Sequence, residues 1–328
     1  FMPANSAVLP QIASTRELGA ANALTAGTWS VSIDLGPATG GLVTCLVGIE
    51  LALAFDALTF VVSAAILVPL PALIPSPSSG RDTGASRRGF FAGMGYLRRR
   101  PYLTAVISLK SFMALAGGSL AMLPVFGTRV FPATSGPEYV GWLYASRGLG
   151  ALVGSLLVRR LFGDAPRTMR RFIAPALLFI AASHVALSQT RSIEQAGLAY
   201  FATSVGAGTL WVYSGTLGQL ASANEYRGRV FSVEWGLMTL VLSGVAALAG
   251  AAVDRAGWSV RDVAMASGLA LIAPAGLWAG LQLAVRVGLA RRGFRSDGSP
   301  DPRKGHGDPA PLDPAWSRRW LGEPADGE

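Results

Sequence analysis

Three ionisable side chains, Asp34, Lys110 and Arg147, stand inside long apolar runs of this 328-residue sequence. A charge in a hydrocarbon environment is costly, so it faces a bundle interior, pairs with another charge, or serves an ion or substrate path. At 1.5 Å per helical residue, Asp34 is about 14 residues into its run, Lys110 about 8 from one face and Arg147 about 8 from the other. Two chemistries fit such groups: they hold a charged substrate or a coupling ion, or they form a structural pair, for example Asp34 with Arg147. Three further polar groups read as local. His184 is expected to be structural, while Asp56 and Glu234 lie within two turns of a face and are expected to cap or pair nearby, Glu234 with Arg227 or Arg229. Catalysis has little to work with: two histidines, the single Cys45, no metal-ligand spacing and no phosphate-cradling loop. The chain reads as a non-enzyme, with no cofactor and no metal site.

Composition says which elements must hold these charges. Hydrophobic residues make up 51% and charged residues 14%, against roughly 25% charge in a soluble domain, and the mean hydropathy is +0.42. Too few polar residues remain to coat a water-facing surface. Crossing a bilayer as a helix takes about 20 mostly apolar residues. Eight runs qualify, at 20–48, 51–73, 102–128, 139–158, 172–188, 196–218, 230–253 and 263–285. Hiding eight such segments in a soluble core would require amphipathic partners that the sequence lacks. The fold class read from this is all-α, a multi-pass transmembrane helical bundle.

Charge sets the expected orientation. With the first polar stretch cytoplasmic, 22 of the 28 Lys and Arg fall on the inner side and 4 outside, leaving Lys110 and Arg147 within runs. That is the positive-inside bias, and it places both ends of the chain in the cytoplasm. Nucleic acid is excluded as a partner, because the basic residues behind the net charge of +9 are scattered among loops rather than gathered on one domain. The lipid bilayer is the expected partner.

A repeat organises the runs. Residues 11–43 echo residues 219–251 at an offset of 208, matching at Gln11/Gln219, Ala13/Ala221, Ser14/Ser222, Glu17/Glu225, Gly36/Gly244 and Ala38/Ala246. The two copies are six spans apart, so they face the same way, and a six-helix unit used twice in parallel is a transporter architecture. Residues 74–101, rich in Pro, Ser, Gly and Arg, form the longest internal polar stretch, and the tail from residue 289 reads as disordered. The domains are therefore 1–73, a cytoplasmic linker at 74–101, a six-helix half at 102–288 and a cytoplasmic tail at 289–328.

The motifs sharpen this. GPATGG at 36–41 resembles the core of the Gly-Pro-x-x-Gly-Gly motif in the fifth helix of the major facilitator superfamily; the motif's two earlier glycines fall on Ala23 and Ser32. ELGAAN at 17–22, FDALTF at 55–60 and EYRGRVF at 225–231 (with Glu225, Arg227, Gly228 and Arg229) resemble its siderophore-exporter-like, or transmembrane secretion effector, branch. The resemblance implies the major facilitator fold, with the first two spans matching helices five and six and the rest a complete second half. Helices one to four, where the family's drug exporters place proton-coupling and cavity residues, are then expected to be lacking. The motif of the loop between helices two and three has no match, and its second-half counterpart at 154–171 is degenerate. Efflux of a small molecule from the cell through the plasma membrane is implied, with protons as coupling ion. The competing reading is a non-transporting membrane protein that acts as an interaction or scaffold module.

Pro37 removes a backbone donor and clashes with the Ile33 carbonyl, so a bend is expected there, while Gly36, Gly40 and Gly41 leave the bent face bare. Small-residue spacing that lets helices approach recurs at Gly36/Gly40, Gly150/Gly154 and Gly276/Gly280. Residues 36–41 are expected to face Gly141, Ala145 and Gly148 in an inward-open state and to part from them in an outward-open one.

Overall fold

Each apolar run becomes helix, and Pro, Gly and Ser set where the helices start and stop. The computed structural model describes residues 6, 8–10, 12–14, 17–68, 90–131, 137–163 and 165–291, and among them there is no strand. Helices α1 (Leu18–Val47) and α2 (Ile49–Leu67) meet at Gly48, whose φ of 82° is left-handed, a conformation a Cβ would strain. A short helix, α3 (Phe90–Arg98), precedes α4 (Pro101–Ala114), which has Pro at its first position, where the missing N–H is no loss. Then come α5 (Pro137–Phe162), α6 (Pro166–Ser188), α7 (Ile193–Ala221), α8 (Asn224–Ala256), α9 (Val260–Leu269) and α10 (Ile272–Arg291). Ser192 caps α7 by accepting from the Gln195 N–H. Ser259 and Asp262 cap α9 with a reciprocal pair of bonds, each partner satisfying a donor the helix start leaves open.

Two runs are helices broken in mid-course. Beyond α4 the chain continues through Gly117–Ala121 and Leu123–Val125 into a π-turn, Phe126–Val130. Glycine allows close approach here: a Cβ on Gly117 would collide with Leu242 of α8, and one on Gly118 would sit 3.2 Å from the Ala249 Cβ. Between α9 and α10, Pro274 has no N–H to give and would crowd the Ala270 carbonyl, so the helix breaks at residues 270–271.

The repeat shows in the element boundaries. Shifting α1 by 208 places its ends at 226 and 255, inside α8. The left-handed Gly257 that ends α8 stands one residue from the counterpart of Gly48.

One expectation changes. The stretch read as linker contains α3, which docks on α8: Tyr96 stacks on Tyr226 with centroids 4.4 Å apart, its hydroxyl accepts from the Ala223 N–H at 3.2 Å, and Gly93 lets the Arg229 backbone approach. No apolar run announces α3; two tyrosines and a glycine dock it. Among the described residues, five segments are both long and apolar enough to cross a membrane by length and composition: Ile49–Ile66, Pro101–Val130, Pro166–Ser188, Tyr226–Ala256 and Val260–Gly288. Helices α1, α5 and α7 have the length, at 30, 26 and 29 residues, but they carry more Gly, Ser and Thr, and α5 carries Arg. They pack on one another, so they need small and polar faces where a lipid-facing helix needs apolar ones. Residues 69–89 and 292–328, most of the linker and the tail, lie outside the described residues.

Candidate functional site

One face of α1 carries Asn22, Thr25, Trp29 and Ser32, spaced three, four and three apart and therefore in a single stripe. Opposite it stand Trp211, Gly215 and Gln219 of α7, Phe231 and Trp235 of α8, and Lys110 of α4. Together they line a cavity of ≈ 380 Å³, which Ser6, Leu9, Leu24 and Thr28 complete. Thr25, Thr28 and Ser32 each donate to the carbonyl four residues back. Their donors are thereby spent on their own helix, as is common for hydroxyls in apolar helices, and acceptor lone pairs remain on the wall. Asn22 donates to Gln219 Oε1 and to Leu18 O, and Gln219 Nε2 donates to Ser6 O at 3.0 Å. This polar clasp joins α1 to α7 at one end of the cavity. Gly215 keeps the floor open: a Cβ there would lie 3.5 Å from Asn22 Oδ1 and 3.8 Å from Lys110 Nζ.

Lys110 is 4% exposed and donates to Glu234 Oε2 at 2.9 Å, and Glu234 is fully buried. The ammonium also sits 4.7 Å from the centroid of Trp211, whose ring meets Trp235 edge-on at 5.8 Å. Glu234 Oε1 and the Trp235 indole N–H have no hydrogen-bond partner among the described residues. A buried carboxylate and ammonium are tolerable only together, because either one alone would be an uncompensated charge.

Of the sequence candidates whose side chains are described, Lys110 alone lines this cavity. Arg147 is half-buried on α5 and is not among the lining residues. Helix α1 runs unbroken through Asp34, Gly36, Pro37, Gly40 and Gly41, but the side chains at 34, 37, 40 and 41 lie outside the described residues, as does any Asp34–Arg147 pair. Among the described residues, Gly36 and Gly141 have nothing within 4 Å of an added Cβ, and α1 meets α5 where Gly27 faces Leu152 and Ser155. Of the GxxxG pairs, Gly150/Gly154 is packed, against the Phe201 and Val205 carbonyls of α7, whereas Gly276/Gly280 is open.

In the loop motif, Arg227 donates to the Gln219 and Ser222 carbonyls at 3.2 Å, closing the end of α7. Arg229 lies 5.6 Å from the Tyr226 ring, Gly228 has open space around it, and the Glu225 side chain is outside the described residues. At the N-terminal edge, Ser14 donates its N–H and its hydroxyl to Glu17, which holds that carboxyl below the usual carboxylate range. His184 Nδ1 lies 2.9 Å from Ile180 O, where only a ring N–H can donate.

Glu234 corrects the expectation of a local pair with Arg227 or Arg229. Helix α8 starts at Asn224, before its apolar run, so Glu234 is ten residues in from the helix start and Lys110 is nine in on α4. At 1.5 Å per residue both stand about 14–15 Å from the same face. That matched depth, with opposite sign, was a readable signal. The three tryptophans carried none, since an aromatic in an apolar helix looks the same whether it faces lipid, core or cavity.

Comparisons with known proteins agree with this architecture. Residues 1–235 match the Major Facilitator Superfamily. The uncharacterized MFS-type transporter YfiS of Bacillus subtilis (strain 168) is 26% identical over 259 residues, which cover 73% of this chain and 58% of that protein. This chain thus spans under two thirds of the relative's length. No solved structure matches. The family match takes in α1 to α7 and the start of α8, the helices that bound the cavity, and the chain belongs to the major facilitator superfamily of membrane transporters.

Proposed function

We propose that the chain works in efflux of a small molecule through the plasma membrane, driven by protons moving inward, as in the siderophore-exporter-like branch. Helices α1 and α2 take the places of that fold's fifth and sixth helices, and α4 to α10 those of its second half. The observation that carries the reading is the cavity itself. It lies where α1 meets α4, α7 and α8, between copies of a parallel repeat, and transporters of this construction keep substrate at that interface near the bilayer midplane. The glycine–proline stretch 36–41 supports export, and the 22-to-4 distribution of Lys and Arg supports cytoplasmic ends. Asp34, Lys110 and Arg147 are the candidate substrate or coupling groups, with Lys110 at the cavity.

Everted membrane vesicles holding the full chain, with an acidified lumen, test this. Adding a transported compound should dissipate the pH gradient and load the compound into the lumen. Neither effect, from folded protein at equal abundance, would favour the interaction or scaffold reading. Orientation is tested separately with Ser86→Cys and Ser135→Cys on a Cys45→Ala background. In intact cells an impermeant thiol reagent should label 135 and spare 86, and the reverse would invert the topology.

A further inference from the structure

Among the described residues, Lys110 is the only charged side chain lining the cavity. Its counter-charge, Glu234, is wholly buried beside it and is not among the lining residues. On the described wall a guest therefore meets an ammonium and no carboxylate. The same cavity is lined by flat aromatic surfaces, Trp29, Trp211, Phe231 and Trp235, which favour a planar guest through stacking or edge-on contact. Lys110 already spends one N–H on Glu234 Oε2 and faces Trp211. It carries three N–H donors in all, and the Cβ-free Gly215 leaves the space beside its Nζ unfilled.

We propose that this cavity selects a planar aromatic compound bearing an anionic group, and that the anion takes Lys110 in competition with Glu234. The rings would supply area and shape, and Lys110 the sign of charge. An aromatic cation of equal size is disfavoured, because its ammonium would approach Lys110 with no acidic partner on the described wall. Competition follows from geometry: one ammonium serves both the buried carboxylate and the guest, so each weakens its hold on the other. The inference rests on reading the cavity as the substrate site, but binding can be measured with no transport at all.

The test uses the purified full chain in lipid nanodiscs and three naphthalene probes titrated by calorimetry: 2-naphthoate, 2-naphthylmethanol and 2-naphthylmethylammonium. Naphthoate should bind tightest and the ammonium weakest, the two separated by about tenfold or more, as expected for one charge-assisted hydrogen bond. Glu234→Gln keeps an acceptor for Lys110 but removes the competing charge, so it should tighten naphthoate by about tenfold and leave the alcohol nearly unchanged. The double variant Lys110→Gln/Glu234→Gln leaves no lone buried charge and should erase the preference of naphthoate over the alcohol. Equal affinity for the three probes, a preference for the ammonium, no binding of any probe, or naphthoate affinity unmoved by Glu234→Gln would each overturn the proposal. Binding as expected without any vesicle transport would keep the anion site and sink the efflux reading.

Discussion

One face of α7 is pressed against α5 so closely that a Cβ on Gly150 or Gly154 would run into the Phe201 or Val205 carbonyl; in return Gly208 lets the Ala151 carbonyl within 2.5 Å of where its Cβ would be. Thr209 adds hydrogen bonds to Gly154 O at 3.1 Å and Val205 O at 2.8 Å. Further along the same helix, Trp211, Gly215 and Gln219 border open space. Glycine is used in the two stretches to opposite ends. Against α5 it removes volume so that two backbones can meet, and beside the cavity it removes volume so that nothing fills the gap between Asn22 and Lys110. A closed seam and an open site thus share one helix, and each can be broken alone.

The largest effect is expected at the cavity's ion pair. Lys110→Met leaves Glu234 buried beside a thioether, and losing one member of a buried pair costs about 3–5 kcal/mol. The reciprocal Glu234→Met should cost a similar amount. Lys110→Met with Glu234→Met should recover most of the loss, since apolar replacement of a whole buried pair is often neutral. Chemical denaturation in mixed micelles measures all three, and a double variant as unstable as the singles would mean that the pair does not act as a unit.

The seam comes next. Gly154→Ala puts a methyl group into the Val205 carbonyl, where only movement of α5 away from α7 relieves the clash; overpacking of this kind costs about 1–3 kcal/mol. Thermal melting followed by loss of monodisperse protein reads it out. Gly215→Ala, two turns beyond Gly208, meets its nearest neighbours at 3.5 and 3.8 Å, ordinary contact distances. It should change stability by under about 0.5 kcal/mol while weakening any ligand that uses the space. A Gly215→Ala protein as unstable as Gly154→Ala would erase the distinction between the two stretches.

That distinction also marks what the sequence could and could not say. Helices long enough to span were visible as apolar runs, and the 208-residue offset already paired α1 with α8. Gly150/Gly154 and Gly276/Gly280 have the same spacing, yet one pair is against a neighbouring backbone and the other is open. Spacing puts two residues on one helix face, but what that face meets is decided by residues far away in the chain. The same limit hid the cavity. Asn22 and Gln219, 197 residues apart, become partners only when α1 and α7 pack, and Glu234 looked local because the start of α8 was placed at the apolar run and not at Asn224. Helix α3 went unseen because it is held by Tyr96 against Tyr226 and by Arg100, 4.6 Å from the Tyr96 ring, contacts that leave no periodic trace.

A further small effect, and the one that sharpens the comparison most, is a change of sign. Gly276 and Gly280 lie on α10 with nothing within 4 Å of an added Cβ, so a methyl group there meets no backbone. Gly is a poorer helix residue than Ala by about 0.8–1.0 kcal/mol in water. In a bilayer the unfolded reference keeps most of its helix, because unsatisfied backbone groups are too costly in hydrocarbon, so only part of that difference is available. Gly276→Ala and Gly280→Ala should therefore leave stability unchanged or raise it slightly, by less than about 0.8 kcal/mol each, while Gly150→Ala and Gly154→Ala lower it. Melting curves of the four single variants, recorded in the same lipid, give the four signs directly. A loss at 276 or 280 comparable to that at 154 would mean that α10 has a close neighbour in the membrane, such as a second copy or another protein, and that its open face is an interface.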